Sequence, residues 1–387
     1  MAVENWVAKE IEELTAFRRD LHRNPELLYD VNRTAGNVAE RLRAYGCDEV
    51  VEGIGRTGVV GVILGQSEGR TIGLRADMDA LPIEEETGAE WSSTVAGKMH
   101  ACGHDGHTTM LLGAAKQLCE SRAFSGRVLV IFQPAEEGGA GADAMIKDGM
   151  FTRWPCDEVY GMHNRPNLPV GEFTINEGPI MGSVDEVRIT VEGVGGHAAM
   201  PHTCVDPMPI AASLISATQG MMARSLDPMD SAVVSLCTIH GGDAFNVIPQ
   251  QIEITGTVRT LREEVREHIE ARLRDLVTQT CAAAGAKGHL AYIRMYPVTV
   301  NDPEGTRRAA AAAIEVAGAD RVSLDMPASL GGEDFSFMLN EVPGAMINIG
   351  NGPSAGLHHP KYDFNDDVIA WGCSYWTTLV RQRLPLG

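Results

Sequence analysis

The chain has 387 residues, of which 44% are hydrophobic and 22% are charged, as in a globular protein with length enough for two or three domains. No apolar run approaches the roughly 20 residues that a membrane-spanning helix needs, which argues against an integral membrane protein. The formal net charge of −20 argues against binding to nucleic acids or to anionic membrane surfaces.

The predicted elements alternate between strands and helices over most of the chain. The predicted helices are residues 4–21, 34–45, 107–121, 142–149, 307–317 and 366–383, and the predicted strands are 59–64, 72–74, 128–132, 159–161 and 345–349. Short apolar strands between longer helical segments are typical of a buried sheet with helices on both faces. The pattern therefore predicts an α/β fold.

The middle of the chain follows a different order. We predict a strand (187–191), a helix (207–224), two strands (232–238 and 252–258), a helix (262–284) and a strand (289–295). This βαββαβ order is that of a small ferredoxin-like domain. The first pattern resumes after residue 297, so we predict an inserted domain at 184–296 within a domain formed by 1–183 and 297–387.

Residues 1–13 are acidic and amphipathic and contain neither the basic nor the apolar segment of a secretory signal. We therefore expect a cytoplasmic protein. The eight cysteines show no paired spacing, so we expect reduced thiols.

The densest group of metal-capable side chains is Met99–His107, which holds three histidines, a cysteine and an aspartate. Gly103 and Gly106 favour a loop, because a glycine inside a helix costs roughly 1 kcal/mol. We predict that Asp105 or Thr108 caps a helix that begins near His107. Cys102 and His104 alone cannot hold a metal, so distant residues must complete the site.

Polar side chains follow the predicted strands where each strand ends. In open α/β sheets, ligands bind outside the carboxyl ends of the strands, so we expect these residues to meet at one edge. Asp79 could orient a metal ligand without contacting the metal itself, or it could be a structural carboxylate in a turn. The residues are Asp77 and Asp79, Glu136 and Glu137, His163, and His358 or His359.

The donor types at this edge favour zinc, manganese, cobalt or nickel over calcium or magnesium. Five candidates are too many for one catalytic zinc, which takes three protein ligands, and they suit a two-metal site with positions left for water. The candidates are Cys102, His104, Glu137, His163 and His358, with His359 as an alternative to His358.

Together with further motifs, these residues resemble the metal-dependent amidohydrolases that include hippurate hydrolase, bacterial N-acyl-amino-acid amidohydrolases and plant indoleacetyl-amino-acid hydrolases. The resemblance covers nearly the whole chain and extends to the wider aminoacylase and carboxypeptidase clan. The motifs that carry it are 75–82, 99–108, 133–138, 162–164, 195–202, 246–249, 332–335 and 357–358.

The resemblance implies a mixed-sheet, metallopeptidase-like catalytic domain that binds two divalent metal ions. Zinc and manganese are the metals expected before cobalt and nickel. The resemblance implies that Glu136 is the catalytic base and that Glu137 is a metal ligand. The sequence alone does not show which of these two adjacent glutamates takes which role. The resemblance also implies that His197, Asn246 and Arg259 of the inserted domain contact the substrate. The expected reaction is hydrolysis of the amide bond of an N-acyl-amino acid.

Two alternatives to this activity stay open. Within hydrolases, a dipeptidase or an N-acetyl-diaminopimelate deacetylase would use the same site. From another class, a non-catalytic small-molecule binder would use the metal structurally.

The inserted domain is predicted to form a homodimer or a higher homo-oligomer. A four-stranded sheet with helices on one face leaves edges that a second copy can cover. The resemblance implies that His197 then serves the active site of the neighbouring subunit.

Overall fold

The computed structural model describes residues 4–387, and they divide into two compact units. The first unit comprises the chain up to Gly178, Val300–Pro327 and Asp334–Gly387, and the second comprises Pro179–Thr299 and Ala328–Glu333. The insertion predicted at 184–296 lies inside the longer segment of the second unit. No pattern in the sequence indicated the short return at Ala328–Glu333.

The helices and strands are numbered here in chain order. The helices are α1 (Val7–Arg23), α2 (Asn32–Tyr45), α3 (His104–Ser121), α4 (Gly141–Lys147), α5 (Met150–Arg153), α6 (Pro207–Ser225), α7 (Glu263–Ala283), α8 (Pro303–Ala317), α9 (Phe335–Glu341) and α10 (Val368–Arg383). The strands are β1 (Glu49–Ile54), β2 (Gly58–Leu64), β3 (Thr71–Asp77), β4 (Arg127–Gln133), β5 (Glu158–Pro166), β6 (Phe173–Thr174), β7 (Gly178–Met181), β8 (Val184–Glu192), β9 (Gly196–His197), β10 (Ala232–His240), β11 (Val247–Ile248), β12 (Gln251–Thr260), β13 (Lys287–Tyr296), β14 (Thr299–Asn301), β15 (Val322–Ser323) and β16 (Gly344–Gly352). Among the described residues, none of the helices has both the length and the hydrophobicity of a membrane span.

The first unit is built on one eight-stranded mixed sheet with the strand order β1-β2-β4-β3-β5-β16-β6-β15. The four neighbours β4, β3, β5 and β16 are parallel, whereas β1 and β2 run antiparallel to their neighbours. The predicted α/β class is therefore confirmed, and all five predicted strands are present. Because the four central strands are parallel, their carboxyl ends lie at one edge of the sheet.

Helix α3 is the central helix of the first unit and is buried on nearly every side. It packs against α1, α2, α10 and the sheet. The middle of the helix, Met110–Ala115, is apolar on every side, as in a helix that belongs in a core rather than at a surface.

The start of α3 differs from the prediction. The helix begins at His104, directly after Gly103, which adopts the left-handed conformation with φ 86°, and no side chain caps it. The predicted caps are wrong because both side chains have other partners. Asp105 is buried against α1, and the Thr108 hydroxyl donates to the carbonyl of Asp77 at 2.7 Å.

Buried charges tie α1 to the start of α3. The Asp105 carboxylate lies 2.8 Å from Nδ1 of His22 and accepts a hydrogen bond from Nη1 of Arg18 at 3.3 Å. Burial lowers the pKa of His22, but the carboxylates of Asp105 and Glu85 outweigh this effect and raise that pKa to about 9. The imidazolium form of His22 is therefore part of the folded state.

The second unit contains a four-stranded antiparallel sheet with the order β10-β12-β8-β13. Its elements follow one another as β8, α6, β10, β12, α7 and β13, which is the βαββαβ order. Its apolar core includes Ile189 and Ile254 from the sheet, Leu214 from α6 and Leu273 from α7. The short strands β9 and β11 pair separately.

Gly103→Ala is expected to lower the free energy of unfolding by more than about 1–2 kcal/mol, the cost of the left-handed conformation for a residue with a Cβ. The added Cβ would also lie 2.4 Å from Nδ2 of Asn164 and 2.5 Å from the Tyr362 hydroxyl. The matched control is Gly36→Ala in α2, where nothing lies within 4 Å. It should raise stability by roughly 0.5–1 kcal/mol. Equal changes in the free energy of unfolding in urea for Gly103→Ala and Gly36→Ala would contradict the left-handed conformation of Gly103.

His22 should make stability depend on pH in the alkaline range. Because the pKa of His22 is raised from 6.5 to about 9 on folding, its contribution is fully present below pH 6.5 and is lost as the pH rises through 9. The loss is about 3 kcal/mol from the shift in pKa. In metal-free buffer, His22→Gln should remove this fall in the free energy of unfolding measured with urea. The exposed His289→Gln should retain it, and the same fall in both variants would refute this role.

Candidate active site

The five predicted metal ligands lie close together in the first unit. The donor atoms of Cys102, His104 and His163 lie within 4.8 Å of one another, and so do those of Cys102, Glu137 and His358. His104 opens α3, Glu137 follows β4, His163 lies in β5 and His358 follows β16. The parallel strands thus bring residues that are far apart in sequence to one edge of the sheet.

His358, rather than His359, belongs to this cluster. Nε2 of His358 lies 3.2 Å from Oε1 of Glu137. Its backbone has φ 62°, and its N–H donates to the carbonyl of Ala101 at 2.8 Å. Both histidines are exposed, but Nδ1 of His359 accepts from the N–H of Lys361 at 3.0 Å, and His359 belongs to none of the donor groups among the described residues.

Two histidines are oriented so that one ring nitrogen faces the cluster. Nδ1 of His104 lies 2.8 Å from the carbonyl of Asp79, and Nε2 of this ring is buried without a hydrogen-bond partner among the described residues. Nδ1 of His163 lies 2.7 Å from the carbonyl of Asn164, and its Nε2 lies 3.4 Å from Sγ of Cys102. Metal-binding histidines are usually oriented in this way, through the nitrogen that does not bind metal.

The cluster carries an excess of negative charge. Oδ2 of Asp77 and Oε1 of Glu137 lie 3.7 and 3.9 Å from Nε2 of His104. Burial lowers the pKa of His104, but these carboxylates and Asp79 outweigh it and raise that pKa to about 10. Burial and the carboxylates of Glu137 and Glu136 raise the pKa of the Cys102 thiol. A partly buried site with this charge and these donors fits divalent cations of the zinc and manganese type.

Glu136 lies beside the cluster and is held there through its backbone. A carboxylate oxygen of Glu136 lies within 4.8 Å of the donor atoms of His104 and Glu137. The buried Asp79 accepts from the N–H of Glu136 at 3.0 Å and from the N–H of Glu137 at 3.1 Å, one bond to each oxygen. The preceding Ala135 has φ 55°. Asp79 therefore orients the turn that carries both glutamates.

A second layer of hydrogen bonds supports the cluster. Nδ1 of His107 donates to Oδ1 of Asp77 at 2.6 Å, because a carboxylate can only accept. Nε2 of His107 accepts from the N–H of Asn164 at 2.9 Å. The Asn164 amide donates to the carbonyl of Cys102 at 2.6 Å and accepts from the Tyr362 hydroxyl at 2.7 Å. Both ring nitrogens of His107 are therefore occupied, so it is a support rather than a donor to the cluster.

Asn164 and Tyr362 were not identified as functional residues from the sequence. The position of Asn164 next to His163, at the end of a predicted strand, was a signal that could have found it. Tyr362 lies in no motif and has no spacing that points to this layer.

The three predicted substrate contacts lie in the second unit. His197 pairs with Val247 across β9 and β11, and the carbonyl of Asn246 accepts from the N–H of Ala198 at 3.1 Å, so His197 and Asn246 are neighbours. Arg259 lies near the far end of β12, roughly 26 Å along the strand from Gln251. It is half-buried and donates to the carbonyl of Val258 at 3.0 Å. The second unit thus brings His197 and Asn246 together and keeps Arg259 apart from them.

Comparison with known proteins places this chain in a family. Residues 73–382 match the model of peptidase family M20/M25/M40. Hippurate hydrolase of Campylobacter jejuni is 40% identical over 372 residues, which are 96% of this chain and 97% of that protein. Thermostable carboxypeptidase 2 of Saccharolobus solfataricus is 40% identical over 375 residues, 94% of each chain.

A solved structure agrees with these matches. The dinuclear metal-binding peptidase of the M20 family from Bacillus subtilis superposes with a TM-score of 0.86 and 33% identity, over 97% of this chain and 99% of that one. Since the family match and the relatives cover most of the chain, this protein is a hydrolase and belongs to peptidase family M20/M25/M40.

Proposed function

We propose that the protein is a metal-dependent amidohydrolase that cleaves N-acyl-amino acids into a carboxylate and a free amino acid. The observation that supports this most directly is the buried Glu136 beside a cluster of cysteine, histidine and carboxylate donors. The name of the Campylobacter relative, hippurate hydrolase, supports an N-acyl-amino acid as the substrate class.

Two divalent metal ions are part of this proposal. Cys102, His104, Glu137, His163 and His358 would hold them, and the dinuclear Bacillus relative supports the number. Zinc and manganese suit these donors, as do cobalt and nickel. Such ions, when bound, lower the pKa of a coordinated water toward about 7 and so supply hydroxide at neutral pH.

Glu136 performs the proton transfers in this reaction. Its carboxylate accepts a proton from the attacking water and then donates it to the leaving nitrogen of the amide. Asp79 holds the backbone of Glu136 through the hydrogen bond described above and so fixes the turn from which the carboxylate reaches the cluster. The burial of Glu136 excludes bulk water from the transferred proton.

The second unit supplies the proposed contacts to the substrate. His197 and Asn246 take this role from the family motifs, with His197 as the donor to the oxyanion that forms from the carbonyl. Arg259 takes it from the family resemblance alone, since it lies apart from the other two within the second unit. The same unit is proposed to form a homodimer or a higher homo-oligomer.

A peptidase is the second candidate, because a carboxypeptidase is equally similar to this chain. The test is a panel of hippurate, N-acetyl-amino acids, N-acetyl-diaminopimelate and dipeptides, assayed with added zinc or manganese by release of the free amino acid. We expect the highest kcat/KM on hippurate or an N-acetyl-amino acid. A clear preference for dipeptides would favour the peptidase, and no turnover of any member would refute both.

Glu136→Gln should lower kcat by at least about 10²–10⁴-fold, because an amide of nearly the same shape cannot accept the water proton. Metal content and urea stability should stay as in the wild type. The control is Glu120→Gln on the exposed end of α3, which should retain full kcat. Near-normal kcat in Glu136→Gln would place the base elsewhere.

Metal analysis of protein purified without chelator should give close to two ions per chain, because the donors form two overlapping groups. Cys102→Ser and His163→Ala should each lower that number. Cys237→Ser, which changes an exposed thiol on β10, should not. Full metal content in both ligand variants would contradict the assignment even if the panel shows activity.

A further inference from the structure

Two thiols outside the active site face each other in the first unit. Sγ of Cys47 lies 3.5 Å from Sγ of Cys119. Cys47 follows α2 and is partly exposed, whereas Cys119 lies in the last turn of α3 and is buried. Neither belongs to any of the donor groups described above.

The backbone around the pair is anchored on both sides. Arg122, directly after α3, donates from Nη1 to Oδ2 of Asp48 at 2.6 Å and from Nη2 to the carbonyl of Gly46 at 2.7 Å. The N–H of Cys47 donates to the carbonyl of Leu42 at 3.1 Å. Both residues that flank Cys47 are therefore fixed to the end of the helix that carries Cys119, and the approach of the two sulfurs is a property of the fold.

We propose that Cys47 and Cys119 form a reversible disulfide when the protein meets hydrogen peroxide. The sulfurs must approach by only about 1.5 Å to reach the disulfide bond length of about 2.05 Å. A buried sulfur favours a small oxidant, and a second thiol in contact prevents oxidation from continuing beyond the first step.

Cys119 is the thiol that reacts first. A hydrogen bond from the Cys47 thiol lowers the pKa of Cys119; burial opposes this, and the Arg122 guanidinium lowers the pKa further. The Cys119 thiolate attacks one peroxide oxygen, so that an S–O bond forms, the O–O bond breaks and hydroxide leaves. Cys47 then attacks Sγ of Cys119, the S–O bond breaks, and the proton of Cys47 leaves in water. Two thiols lose two electrons and one peroxide becomes two waters.

The disulfide would join α3 to the connection between α2 and β1. It would close a long loop in the unfolded chain and so raise the temperature of unfolding. Cys119 lies roughly 22 Å along α3 from His104, so the disulfide acts on stability and not on the reacting groups.

The test treats the metal-loaded protein with hydrogen peroxide, stops the reaction with catalase, alkylates the remaining thiols and maps the peptides without a reductant. We expect a peptide that links Cys47 to Cys119, and two fewer alkylated thiols than the eight of the untreated chain. The midpoint of thermal unfolding should rise by several degrees, and dithiothreitol should reverse both changes.

Cys47→Ser and Cys119→Ser should each abolish the linked peptide and the thermal shift, whereas Cys237→Ser should retain both. The proposal is overturned if peroxide oxidises the exposed Cys237 of the wild type while no linked peptide forms. It is also overturned if Cys119 becomes a sulfinic acid while Cys47 stays free. Peptide mapping of the wild type decides the question even if a variant fails to fold.

Discussion

The structure of the active site depends on two buried carboxylates at the end of β3. An ionised carboxylate is costly to bury unless each oxygen has a partner. Asp77 accepts from Arg75 and His107, and Asp79 accepts from two backbone N–H groups of the turn after β4. The start of α3, the turn after β4 and the end of β3 must therefore meet at one point, and the donors that could hold metal are carried there with them.

The central strands could be predicted because they are buried on both faces. A strand covered on both faces needs a continuous apolar run, and β2 and β4 show such runs. Strand β1 was missed because it lies at the edge of the sheet, and the exposed Glu52 interrupts its apolar pattern. The start of α3 was predicted at the wrong residue because Asp105 forms ion pairs with Arg18 and His22 instead of capping the helix. No local pattern in the sequence reveals these partners.

The sequence could predict that the metal-capable residues lie close together, because the carboxyl ends of parallel strands meet at one edge of a sheet. The hydrogen bonds behind them could not be predicted, because Tyr362 lies in no motif and no local pattern pairs it with Asn164. The separation of Arg259 from His197 was likewise hidden, since it depends on how far β12 extends beyond the short β9–β11 pair.

The layer formed by Tyr362, Asn164, His107 and Asp77 has a fixed direction of donation. Each side chain donates toward Asp77, where the carboxylate can only accept. Rotating the Asn164 amide would set its oxygen against two acceptors, the Cys102 carbonyl and Nε2 of His107. Rotating the His107 ring would put carbon in place of both of its bonded nitrogens. The four groups therefore have one favoured arrangement of donors and acceptors, and a change in the amide or the ring breaks hydrogen bonds to the neighbours that support the metal-capable donors.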